Sequence, residues 1–168
     1  MRKGYTYFSE GDVLFAKITP CMQNGKHAVA RDLIDGIGFG STEFHVLRPN
    51  PDVTPEWLHY FVIQPHILHD AKAHLTGAVG QQRLPESFLA NIEMPVPPLP
   101  EQKRIAAILG EQMAAVERAR AAAEAQLAAA RELPAAYLRQ VFEGDEAREW
   151  PRKRLGALCN IVMGRTPK

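Results

Sequence analysis

At 168 residues the chain has room for one ordinary domain, or a small domain with an appendage, and is too short for a large multidomain enzyme. Hydrophobic residues at 46%, charged residues at 23% and aromatic residues at 8% exclude bulk disorder. A balance of 20 Lys and Arg against 19 Asp and Glu excludes a uniformly basic, histone-like or polybasic membrane binder, so any nucleic-acid surface must be a local patch.

In chain order, Val13 to Thr19 is β-branched and apolar and Lys26 to Arg31 alternates, with Pro20 and Asn24-Gly25 between them; this predicts a β-ribbon. Gly36 to Ser41 reads as a flexible connection, and Thr42 to Arg48 as a third strand. Thr54 followed by Pro55 is an N-cap with proline at the first helical position, and predicts a helix carrying Trp57, Leu58, Phe61 and Val62. Pro65 breaks it, and a second helix is expected from His66 to Leu75.

Thr76 to Arg83 is a glycine- and amide-rich turn or exposed loop, Pro85 to Leu89 a helical turn, and Ile92 to Met94 a short strand. Pro95, Pro97, Pro98 and Pro100 force extended, polyproline-like backbone, a stiff joint. From Glu101 to Leu133 strong helix formers dominate, enough for a helix about 50 Å long. Ile105, Leu109, Val116, Ala119, Ala123, Ala130, Leu133 and Tyr137 recur at steps of three and four as a heptad seam, mostly alanine, that suits close approach of a partner helix. Pro134 is expected to kink or interrupt the helix, which resumes to Glu143 before Gly144 stops it. Residues 145 to 150 read as a linker, and Arg154 to Met163 opens a further segment within the one clearly basic stretch, five basic residues against one acid over 149 to 168.

Several motifs invite chemistry. Gly36-Ile37-Gly38-Phe39-Gly40-Ser41 lacks the third glycine of a dinucleotide fingerprint and the Gly-Lys-Ser/Thr of a phosphate loop. His59, His66, His69 and His74 lie near one another in sequence, but helical spacing puts only His66 and His69 on one face, with His74 elsewhere, and no cysteine or His-Glu-x-x-His pattern joins them; surface and interface histidines are the reading, with no metal. Cys21 and Cys159 form neither a metal spacing nor a disulfide framework, and the start carries no apolar signal core, so a reducing, cytoplasmic setting without a membrane span is expected. The Met94 to Leu99 run lacks the amide and the aromatic of an amino-methyltransferase loop.

More promising are short donors on loops of a β-rich frame. Lys17, Asn24 and Lys26 on the ribbon, and Thr76, Gly77, Gly80, Gln81, Gln82 and Arg83 on the later loop, are candidate DNA contacts: amides can read adenine, arginine can read guanine, and lysine or hydroxyl groups hold phosphates. The alternative for Arg83 is that it anchors its own loop.

The segments GDVLFAKITPCMQNGKHAVA, GIGFGSTEFHVLRP, TGAVGQQRLPESFLANIEMPVPPLPEQKRIAAIL and AYLRQVFEGD together resemble the DNA-specificity subunit of type I restriction-modification systems, most specifically in the Pro97 to Gln102 run ahead of a long helix. The resemblance implies an α+β protein: a partial DNA target-recognition domain over 1–98, a spacer helix over 99–144, and a linker with the opening of a second recognition domain over 145–168. In that family each recognition domain reads half of a split DNA site, and the helices between them act as a ruler.

The resemblance further implies a non-catalytic chain. Methylation would belong to modification subunits using S-adenosylmethionine, and cleavage to a restriction subunit using ATP and Mg. It names double-stranded DNA, both of those subunits, and a second copy or another specificity chain as partners. Such a recognition domain opens with a segment like Trp150 to Lys168, which implies that this chain is a piece or a truncated gene product, and the tail is expected to dock on the head edge of a second copy or, less easily, of its own chain. The competing expectation is a structural assembly module that docks a modification subunit or a second chain without binding DNA itself.

Overall fold

The computed structural model describes residues 4–78, 80–161 and 164. The chain divides into two compact units, Met1–Ala114 and Ala115–Lys168.

In the first unit, among the described residues, five strands form two small antiparallel sheets. Strands β1 (Thr6–Ser9) and β4 (Ile37–Gly40) make a two-stranded ribbon, in register from Thr6 against Gly40 to Ser9 against Ile37. Strands β2 (Val13–Ala16), β3 (His27–Val29) and β5 (Phe44–Leu47) make a three-stranded sheet in the order β3-β2-β5. Central strand β2 buries Val13 and Phe15 completely. They join Met22, Val62, Ala71 and Leu84 in one core, with Leu58, Phe61, Leu68, Phe88 and Leu89 packed around it.

The Gly36 to Ser41 stretch is therefore not a flexible connection. A Cβ on Gly38 would overlap the ring of Phe8, so the glycine is what lets the aromatic ring lie flat across the ribbon. On this ribbon Tyr7 and Phe39 pair edge to face at 5.9 Å.

Helix α1 (Pro55–Val62) begins as its sequence dictates, with the Thr54 hydroxyl accepting a hydrogen bond from the Trp57 N–H at 3.3 Å. Helix α2 (Pro65–Ala73) follows, starting at Pro65 itself and ending before His74. Proline at the first turn costs nothing there, because its missing N–H would have no helical partner. Helix α3 (Glu86–Ala90) occupies the predicted helical turn, whereas Ile92 to Met94 forms no strand and leads as irregular chain into the prolines. Helix α4 (Leu99–Glu143) starts two residues before the predicted Glu101.

The buried Asp12 fixes the ribbon to the sheet. It accepts the Ser9 N–H at 2.7 Å and a two-pronged bond from Arg48, at 2.8 and 2.7 Å. That Arg48 pairing holds the Asp12 carboxyl below the usual carboxylate range.

In the second unit, α4 continues to Glu143 with Pro134 inside it; the helix is not interrupted there. Proline removes one N–H donor and frees one carbonyl, and the exposed surroundings leave that carbonyl to solvent while alanine-rich turns sustain the helix on either side. The predicted linker after Gly144 instead contains a short helix, α5 (Asp145–Glu149), whose Ala147 is buried. A single 3-10 turn follows at Leu155–Ala157.

Candidate nucleic-acid interface

The Thr76 to Arg83 loop is closed at its base. Thr76 and Arg83 exchange backbone hydrogen bonds, Thr76 N–H to the Arg83 carbonyl at 2.9 Å and Arg83 N–H to the Thr76 carbonyl at 2.8 Å. A second seam stitches the end of the loop to the segment just after β2: the Thr19 N–H donates to the Gln82 carbonyl at 2.9 Å, and the Leu84 N–H to the Lys17 carbonyl at 2.9 Å. The Gln82 N–H reaches the Thr19 hydroxyl at 3.2 Å. Gly77 lies at φ +112° and Gly80 at φ +86°, and a Cβ on Gly77 would also crowd the Gln81 carbonyl. Glycine is what allows the chain to turn back this tightly.

This geometry joins the Lys17 to Thr19 segment, which follows the central strand β2, to Gln82, Arg83 and Leu84. Asn24 and Lys26 sit beyond Ile18 to Pro20 on an exposed turn held by its own bonds, Asn24 N–H to the Pro20 carbonyl at 3.0 Å and Lys26 N–H to the Cys21 carbonyl at 3.1 Å. The Gln81 side chain is exposed and, among the described residues, carries no hydrogen bond. Thr76 spends its hydroxyl on the Arg83 carbonyl at 3.3 Å.

Arg83 is used by the protein itself. Its Nε and Nη2 donate to the two oxygens of Glu43 at 2.9 and 2.7 Å, and its Nη1 to the Gln81 carbonyl at 3.2 Å. Three of five guanidinium N–H groups are thus committed, which leaves one on each terminal nitrogen. The pairing lowers the Glu43 carboxyl below its ordinary range and raises the guanidinium. Sequence reasoning missed Glu43, since nothing in a strand pattern marks one of its polar positions as the partner of an arginine forty residues away.

Gln102 is the second residue that pattern reasoning did not single out, although it ends the Pro97 to Gln102 run. It is wholly buried. Its side-chain carbonyl accepts the Thr54 N–H at 2.9 Å, and its amide donates to the Asp52 and Pro97 carbonyls at 2.8 Å each. One side chain thus ties the proline joint and the start of α4 to the cap of α1.

The heptad seam divides in use. Ile105 and Leu109 belong to the first unit, where they line an apolar cavity of about 170 Å³ with Trp57, Tyr60, Phe61, Gln64 and Pro95. Both are half-buried among the head's aromatic residues. Val116, Ala119, Ala123, Ala130, Leu133 and Tyr137 are exposed, as are Leu155, Leu158 and Ile161 of the tail. Val162, Met163 and residues 165–168 of that tail lie outside the described residues.

The histidines are structural or solvent-facing. His45 Nε2 bonds the Leu84 carbonyl at 2.8 Å, His74 Nδ1 bonds the Asp70 carbonyl at 2.9 Å, and His66 and His69 are exposed. His27 stacks on Phe15 at 4.0 Å and accepts the Ala16 N–H at Nδ1, 3.2 Å away. Among the described residues no group of three or more His, Cys, Asp or Glu could hold a metal ion, and no helix is long and apolar enough to cross a membrane.

Residues 2–122 match the family model described as the type I restriction modification DNA specificity domain, and the chain belongs to that family. It is 44% identical over 106 residues to the type I restriction enzyme EcoAI specificity subunit of Escherichia coli, covering 62% of this chain and 18% of that protein. To the EcoEI specificity subunit of the same organism it is 40% identical over 114 residues, covering 67% and 19%. The chain thus spans about a fifth of the length of the curated relatives it matches.

Two solved structures are similar in fold. One, from a study of complex assembly and conformational transition of the type I R-M system, superposes with a TM-score of 0.77 at 27% identity, covering all of this chain and 44% of its own. The other, the HsdS subunit from Thermoanaerobacter tengcongensis, gives 0.57 at 27% identity, covering 99% and 43%.

Proposed function

We propose that this chain reads double-stranded DNA as a specificity element of a type I restriction-modification complex. The observation that carries the reading is the closed Thr76 to Arg83 loop, which presents the exposed Gln81 side chain and is bonded to the Lys17 to Thr19 segment after the central strand. A primary amide can donate to and accept from one adenine edge, and lysines beside it can meet the backbone phosphates. In this reading Gln81 and Gln82 reach bases, Thr76, Gly77, Gly80 and Arg83 shape or extend the contact, and Lys17, Asn24 and Lys26 lie along the phosphates.

The chain itself would be non-catalytic and bind no cofactor. A modification subunit holding S-adenosylmethionine and a restriction subunit using ATP and Mg would act where this chain places them, in the cytoplasm. A second reading, assembly without DNA contact, draws on the exposed α4 seam from Val116 to Tyr137, which suits a second copy, another specificity chain or a modification subunit. Selection from a random duplex library at fixed salt separates the two: a recognition element enriches a common sequence, and a pure assembly module enriches none.

A further inference from the structure

We propose that Glu43 is a positioning residue for the DNA-reading loop: it holds the Arg83 guanidinium against the sheet so that Arg83 sets the loop's direction and Gln81 is left to face DNA. The inference rests on the function proposed above and assigns Arg83 and Gln81 different parts in it.

The loop is anchored twice by backbone, at Thr76–Arg83 and at Ile18–Arg83, and both bridges use Arg83. The guanidinium adds a third anchor of a different kind. It spans from the loop to Glu43, in the turn just before β5, whose own carbonyl accepts the Lys17 N–H at 2.9 Å, so one residue touches both candidate DNA segments. The bond from Nη1 to the Gln81 carbonyl then fixes the backbone that carries the free amide. A two-pronged Arg–carboxylate pair fixes direction as well as distance, which a single hydrogen bond does not.

The pair is also too exposed to be explained by stability. Side-chain exposure is 46% for Arg83 and 28% for Glu43. Ion pairs in water contribute little to folding, so the arrangement's value lies in where it holds the loop. A carboxylate on a DNA-facing edge repels phosphate, and keeping one there is consistent with a task other than generic DNA attraction.

The test uses the full chain and a duplex selected by the unaltered protein from a random library, set against a scrambled duplex. Glu43→Ala and Arg83→Ala are each expected to lower discrimination between the two duplexes by about tenfold, within the range that one bidentate base contact supplies. The double variant should be no worse than either single one, since both break the same element. Melting temperature and the slope of affinity against salt should stay unchanged, and the Thr76 and Arg83 amides should exchange faster in Glu43→Ala without DNA present. Glu43→Gln, which keeps one acceptor, should fall between, and it serves if Glu43→Ala folds poorly.

The proposal is overturned if Glu43→Ala binds the selected duplex as well as or better than the unaltered chain while Arg83→Ala alone weakens it and lowers the salt slope by about one, because Arg83 would then contact phosphate directly. Unchanged amide exchange in Glu43→Ala overturns it independently. Should the unaltered chain select no sequence, the DNA-reading function fails, while amide exchange still decides whether Glu43 holds the loop.

Discussion

The side-chain carbonyl of Gln102 accepts the backbone N–H of Thr54 at 2.9 Å, joining the first turn of the long helix to the cap of a helix 48 positions earlier. The amide of the same residue satisfies two further carbonyls, of Asp52 and Pro97, and no part of Gln102 reaches solvent. A buried polar group with every bond made fixes geometry, and one left half-made is costly. This explains why a glutamine stands directly after Pro97-Pro98-Leu99-Pro100-Glu101: the prolines supply a rigid approach, and the amide locks it.

Replacing Gln102 by Leu is expected to leave the Thr54 N–H and two carbonyls without partners, at about 2 to 4 kcal/mol in total. Urea unfolding of the two proteins measures the difference. A loss under about 0.5 kcal/mol, the range of an ordinary surface substitution, would mean that water replaces the amide at this joint.

Acid should weaken the head through His27 and His59. Burial lowers the His27 pKa from 6.5 to about 4, and burial lowers His59 as well; the Nε2 atoms of both rings are buried without a hydrogen-bond partner among the described residues. Because the folded-state pKa lies below the unfolded one, the fold favours the neutral ring. The stabilisation is complete above about pH 6.5 and is lost as pH falls from 6.5 toward 4. The melting temperature should decline across that window, and His27→Gln should flatten the decline. An equally steep decline in His27→Gln would place the titrating group elsewhere.

The exposed stripe on α4 is expected to associate. Ala123→Glu puts a charge on the alanine seam and should shift sedimentation of the full chain toward the monomer, whereas a mass independent of concentration in the unaltered protein would count against any pairing of this helix. Leu155, Leu158 and Ile161 expose at least 62% of their surface each, and removing residues 149–168 should lower the melting temperature if a second copy covers them. An unchanged melting point would leave the tail an uncovered segment with no part in association.

What the sequence made legible follows from how local each signal is. Thr54-Pro55 specifies a helix start within three residues, and the alanine-rich stretch after Glu101 specifies a helix by composition alone. The family could be read because its motifs are contiguous. The β1–β4 ribbon was missed because Gly38 makes sense only under the ring of Phe8, thirty positions away, and alternating glycines without that ring read as slack. Asp145 to Glu149 is too short and too charged for an apolar period to announce a helix. In the candidate site, the loop and its lysine neighbour were legible from residue type, but the Arg83 partner was not: Glu43 is one acid among many until the strands pair and bring it to the loop.

Affinity of the full chain for a selected duplex and for its scrambled counterpart, measured by fluorescence anisotropy from 50 to 200 mM salt, alone and with a type I modification subunit, tests the DNA-reading function most directly. The account predicts preference for the selected duplex by about tenfold or more at every salt concentration, since one wrong base pair costs about 1 to 3 kcal/mol, and predicts that Gln81→Ala removes much of it. Equal binding of both duplexes throughout, with or without the modification subunit, would contradict it.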